Sequence, residues 1–168
     1  MRSSRLLPLI LTGAVGGAML TGATASAFHA HAAKTTTLKY FFKSTGTRFT
    51  NAKGKKVSNP GVGDHLFATV NLYAGTAKHH AASSTGSAFA YCGITKLTKS
   101  TITGTCDAVV AIQGSMLTSI STQKLGAKVN VYPIVAGTGK YLHVKGGSVK
   151  TTAVGKAGDD NAVITIKG

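Results

Sequence analysis

Few side chains in this chain could do chemistry, and their spacing narrows the choices further. Cys92 and Cys106 are the only cysteines, and the acids are limited to Asp64, Asp107, Asp159 and Asp160, with no glutamate anywhere. Two thiols either close a disulfide or supply a reactive thiolate. Register favours the disulfide. If residues 98–100 form a three-residue hairpin loop, Leu97 pairs with Thr101, and counting back along both strands sets Cys92 opposite Cys106. Such a pair has Cα atoms about 4.5–5.5 Å apart, within bridging range. A two-residue loop would slip the register and set Cys92 opposite Thr105 instead.

The other polar groups are thinly spread. Lys78, His79 and His80 are adjacent, but a metal site needs three or four convergent ligands, and no acid or free thiol accompanies them. An exposed loop explains them, and no metal or other cofactor is expected. His143 reads as a surface histidine, with a general base as the alternative. Asp159, Asp160 and Asn161 suit a hairpin loop, because these side chains bond their own backbone; calcium is the alternative. Asp64 reads as the cap at the start of a strand. The chain lacks a Gly-x-Ser-x-Gly elbow and a His-Glu-x-x-His motif, and a glycosidase would need two distant aspartates. GTG (137–139) has no following helix or partner acid, so a nucleotide site fails on context.

The elements that must position these groups are strands. Residues 65–73 alternate, with Leu66, Ala68, Val70 and Leu72 on one face and Phe67, Thr69, Asn71 and Tyr73 on the other. The same period places Ala88, Ala90, Cys92 and Ile94 on one face of 87–97, and Ile102, Cys106, Ala108, Val110 and Ile112 on one face of 101–112. Further strands are expected at 37–43, 115–122, 128–135, 148–154 and 162–167, with a long polar connection at 44–63 able to carry a lid or a short extra strand. Short, evenly spaced strands with glycine turns and no helix predict an all-β domain, a barrel or a sandwich.

Composition sets the compartment and the partners. Residues 1–27 have the form of a secretory signal: Arg2 and Arg5, an apolar stretch at 6–20, and ASA at 25–27. Residues 28–36 lack periodicity and read as a flexible N-terminus, leaving 37–168 as one domain of an extracellular protein, where the disulfide would persist. The net charge is +15, carried almost wholly by lysine. Nucleic acid is not expected as a partner, because arginine is scarce and no aromatics interleave with the basic residues. Attraction to anionic cell-wall polymers or membrane surfaces is the electrostatic expectation.

A set of short motifs carries a resemblance. GD (63–64), NLYAG (71–75), Cys92, AIQG (111–114) and VAGTGKY (135–141) follow the order seen in the allene oxide cyclase family, and GTGKY is similar to the plant dirigent proteins. The resemblance covers residues 63–150. It implies an eight-stranded antiparallel barrel of the calycin type, assembled as a trimer, with an apolar cavity for a lipid-like or phenolic guest. It also implies an isomerase or cyclase. The polar groups of the plant cyclases do not carry over. The strand-one glutamate position falls near Phe42, the asparagine position on Val70 and the tyrosine position on Met116; only the cavity cysteine matches, at Cys92. The expectation is therefore a secreted barrel that binds a small hydrophobic molecule and steers its cyclisation or coupling. The alternative is a non-catalytic cationic protein of the cell surface. The expected cavity wall is Phe42, Leu66, Ala68, Val70, Leu72, Ala88, Ala90, Ile94, Ala108, Val110 and Met116.

Overall fold

A computed structural model describes residues 34–155 and 158–168. The signal segment at 1–27 and the first residues of the expected flexible stretch lie outside the described residues. Nine strands follow in order: β1 (Thr35–Thr50), β2 (Lys56–Val57), β3 (His65–Ala74), β4 (Gly86–Leu97), β5 (Ile102–Ile112), β6 (Ser115–Leu125), β7 (Val129–Gly137), β8 (Gly146–Ala153) and β9 (Asp160–Lys167). Every pairing is antiparallel, and β1 also pairs with β9, so eight of the strands close into a barrel. β2 is a short extra strand on the end of β1. Closure gives each of the eight barrel strands a neighbour on both sides.

The first strand is longer than its alternation suggests. It begins at Thr35, so Thr35 and Thr36 are ordered by pairing with Lys167 and Ile166 rather than flexible. It also runs on to Thr50, through what reads in sequence as connection, because a bulge between Ser44 and Gly46 restores the register with β3. The polar pattern of 44–50 hides this: the segment's outer face is in water, so its strand character comes from pairing and not from burial.

Inward-facing residues fill the barrel at one end. Leu72, Ile112, Leu117 and Ile164 are fully buried there, packed with Tyr40, Phe42, Val110 and Ile166. A single turn of 3-10 helix, Gly139–Tyr141, stoppers this end, with Tyr141 buried against the same core. The two sequence motifs meet here. The Thr138 amide donates to the Met116 carbonyl (2.9 Å), the Met116 amide donates to Thr138 Oγ1 (3.1 Å), and Lys140 Nζ donates to Gln113 Oε1 (3.1 Å). Gln113 holds a left-handed φ of 49° and Gly114 one of 75°, the two positive values that a tight primed hairpin turn demands. Gly137 is required for space, since a Cβ there would run into the Tyr141 carbonyl oxygen.

The disulfide forms between Cys92 and Cys106, which are paired across β4 and β5 with Cα atoms 4.0 Å apart. The route to that pairing differs from the expected one. Leu97 pairs with Ile102, not Thr101, because the hairpin loop is one residue longer and is closed by the Thr98 amide donating to the Thr101 carbonyl. A bulge between Ile94 and Lys96 then takes up the extra residue and returns the cysteines to register.

Candidate functional site: a small apolar chamber with a polar arc

Above the filled end the lumen is open. The cavity has a volume of about 150 Å³. Its apolar wall is built by Phe42 of β1, Ala68 and Val70 of β3, Ala88 and Ala90 of β4, and Ala108 and Val110 of β5. Alanine is the reason that space exists, because the strand backbones keep their spacing whatever the side chain, and a methyl group cannot reach the barrel axis. Leu117, Ile134 and Val149 complete the apolar lining.

Four of the expected wall residues lie elsewhere. Leu66, Leu72 and Ile94 share the inward face but do not line the cavity: Leu72 belongs to the filled end, while Leu66 pairs with Cys92 and Ile94 is buried beyond the disulfide. Met116 points outward and is 43% exposed. The reason is register. The two-residue turn pairs Ile112 with Ser115, so the inward positions of β6 are Ser115, Leu117 and Ser119.

The cavity also has polar groups that the alternation pattern did not reveal. Asp160, Tyr132, Ser119, Ser44, Thr47 and Thr151 all line it. Asp160 opens β9 in register with Phe42, so it lies on the inward face shared by Ala162, Ile164 and Ile166. The signal was present in sequence: extending the alternation of 162–167 back by one step places residue 160 inside. The turn-like pair Asp159 and Asp160 concealed it. The three adjacent polar residues divide their roles. Asp159 Oδ1 accepts from the Ser44 amide at the β1 bulge (2.9 Å), Asn161 Oδ1 accepts from the Ala77 amide (2.7 Å), and Asp160 faces the chamber.

Burial, and then the neighbouring Asp159 charge, push the Asp160 carboxyl above its ordinary range. Burial, and then the Asp160 charge, likewise raise the Tyr132 hydroxyl. Both shifts act against the charged form of each group. Ser119 is only 4% exposed and its hydroxyl has no hydrogen-bond partner among the described residues. Leaving a buried hydroxyl without a partner costs about 1–3 kcal/mol.

The raised Asp160 gives a pH prediction. Its folded pKa lies above its unfolded one, so the fold binds this proton more tightly. The stability it contributes is full below the ordinary carboxylate range and is lost as pH rises through the raised value. Asp160→Asn is expected to melt above the wild type at pH 7, with the gap closing towards about pH 4. Thermal melts across pH check this, and equal melting at pH 7 would count against it.

The histidines sit apart from the chamber. His80 stacks on Phe41 at 4.9 Å between ring centroids and meets Tyr73 at 5.3 Å, on the outside of the barrel. His143 is exposed just after the 3-10 turn. Among the described residues no three histidines, cysteines or acids converge as a metal site.

These features define a class: a closed up-and-down antiparallel barrel with a largely apolar lumen. Solved structures of that class are similar to this chain. A pyocyanin demethylase aligns with TM-score 0.62 and 16% identity over 78% of this chain and 99% of its own. AbnU, an exo-specific intermolecular Diels-Alderase, aligns with TM-score 0.62 and 12% identity over 82% and 99%. The pterocarpan synthase dirigent protein PsPTS1 aligns with TM-score 0.55 and 21% identity over 80% and 94%. The fold is thus an antiparallel barrel similar to that of a dirigent protein and a Diels-Alderase, the architecture that the motif order implied. No family model matches the sequence, and no curated protein matches it.

Proposed function

We propose that this protein is a secreted guest-binding barrel, which holds a small hydrophobic molecule and guides its cyclisation or coupling. The observation that carries the reading is the wall of Ala68, Ala88, Ala90 and Ala108, which leaves a chamber of about 150 Å³ where larger side chains would close the core. Ligand sites combine such apolar walls with a few placed polar groups. The similar barrels support it, since one is described as a dirigent protein and another as a Diels-Alderase.

Reactions of this kind draw most of their acceleration from holding reacting atoms in one geometry, and they need little covalent machinery. Confinement against the alanine wall supplies that geometry here. Asp160 and Tyr132 stand in the lining as the ionisable groups able to hydrogen-bond a polar atom of the guest. The lysine-rich exterior adds an expectation of salt-sensitive adhesion to anionic surfaces.

The size of the chamber decides the probe. An apolar cavity of about this volume admits a benzene-sized ring. Toluene is expected to bind, followed by NMR shifts of the Ala68, Ala88 and Ala108 methyl groups, and Ala90→Leu should weaken it at least tenfold while the barrel still melts cooperatively. Toluene binding that is indifferent to Ala90→Leu, or absent from the wild type, would refute the reading.

A further inference from the structure

A second cavity, a groove of about 380 Å³, lies at the stoppered end and shares no lining residue with the chamber. Its floor is apolar, formed by Leu38 of β1, Ile166 of β9, and Tyr141 and Val144 of the stopper and the residues after it. Its rim is basic, formed by the exposed side chains of Lys34, Lys140 and His143. Lys140 is held over this floor. Its amide donates to Ser115 Oγ (3.1 Å), and its Nζ lies 5.1 Å from the centre of the Tyr141 ring. The same Nζ donates to Gln113 Oε1, a neutral acceptor that leaves the ammonium charge uncompensated. None of the four aspartates lines the groove. Even counting the main-chain carboxylate of Gly168, positive charge is in excess at the rim. Tyr141 is 8% exposed and its hydroxyl has no hydrogen-bond partner among the described residues, which leaves a donor free.

We propose that this groove is a second binding site, for a small amphiphilic anion with an acidic head group on an apolar body. The head group sits at Lys34 and Lys140, and the body lies on Leu38, Val144 and Ile166. Charge complementarity selects the head group, because an acidic oxygen makes charge-assisted hydrogen bonds with ammonium groups that no acidic side chain of the lining neutralises. The floor selects the body, because a bare inorganic anion would leave that apolar surface in water. The volume selects the size. The chamber, at about 150 Å³, takes about one benzene-sized ring, whereas the groove has room for more than one. The site stands whether or not the chamber holds a guest.

Fluorescence titration of the full-length protein with anilinonaphthalene sulfonate, and with phenylnaphthylamine as the same body without the sulfonate, tests this. The sulfonate is expected to bind about tenfold more tightly than its uncharged parent, with an affinity that falls as salt rises. Lys34→Glu, at an exposed position, should weaken the sulfonate about tenfold. Lys140→Met, which keeps an apolar stem beside Tyr141 and removes the charge, should weaken it by a similar factor. Lys99→Glu makes the same change in net charge as Lys34→Glu, but in the β4–β5 loop at the other end of the barrel, and should leave the affinity unchanged. Ala90→Leu, inside the chamber, should leave it unchanged too. If Lys99→Glu weakens the sulfonate as much as Lys34→Glu does, the protein draws anions by its overall charge and the groove is not a site. Equal binding of the uncharged parent, or loss of the sulfonate in Ala90→Leu, would overturn the proposal as well, the latter by placing the dye in the chamber.

Discussion

Leu117→Ala is expected to lower stability by about 3–4 kcal/mol and, at the same time, to broaden what the barrel can hold. Leu117 is 1% exposed, belongs to the packed end and also lines the chamber floor. Removing its isobutyl group loses transfer free energy and leaves a void, a combination that costs about 2–5 kcal/mol for buried leucines. Here the void opens into an existing cavity and cannot collapse onto it, which places the loss in the upper part of that range. Domains of this size are stable by only about 5–15 kcal/mol, so the variant should unfold at clearly lower denaturant concentration. The same space becomes available to guests, so a bulkier ring such as naphthalene should bind the variant more tightly than the wild type and raise its melting temperature in proportion to occupancy. A variant that is destabilised but takes no larger ring would show that the floor and the chamber are not continuous.

Removing the disulfide should have an effect nearly as large. The bridge joins residues separated by 14 positions, and a loop of about that length restricts the unfolded chain by about 3 kcal/mol in the chain-entropy model. The folded state loses less. The two sulfur positions sit on the inward face of a paired hairpin whose backbone ladder continues on both sides, so Cys92→Ala with Cys106→Ala should keep the barrel. The expected result is a melting temperature lower by about 10 °C with an unchanged far-ultraviolet spectrum. Reductant should produce the same drop in the wild type and none in the double variant. A double variant that melts with the wild type would mean that the hairpin already constrains the unfolded chain.

The barrel was legible because its strands bury one face and wet the other. Residues 65–73, 87–97 and 101–112 alternate cleanly, and their inward residues Ala68, Val70, Ala88, Ala90, Ala108 and Val110 do line the chamber. Register was less legible. The cysteine pairing came out correctly from a loop that is one residue too short, because the bulge between Ile94 and Lys96 cancels the difference; bulges leave no mark in a hydrophobic pattern. Met116 failed for a related reason. The resemblance sets the family's tyrosine position on Met116 and so assigned it to the wall, whereas the turn at Gln113 and Gly114 fixes the parity of β6 and turns Ser115, Leu117 and Ser119 inward instead. The polar lining was the least legible, since a serine, a tyrosine and an aspartate facing a lumen read in sequence as ordinary surface residues.

The hydrogen bonds that tie Gln113 and Met116 to Thr138 and Lys140 all lie at the stoppered end, beneath the chamber. The residues by which such a chain is recognised are thus fasteners, and the residues that would choose a guest sit above them on other rungs of the same strands. Two barrels can then share every fastener and hold unlike cargo, and two with the same cargo can be fastened differently. Engineering can exploit this separation: the lumen of this barrel can be refaced at positions 90, 108, 119, 132 and 160 without touching the parts that close it.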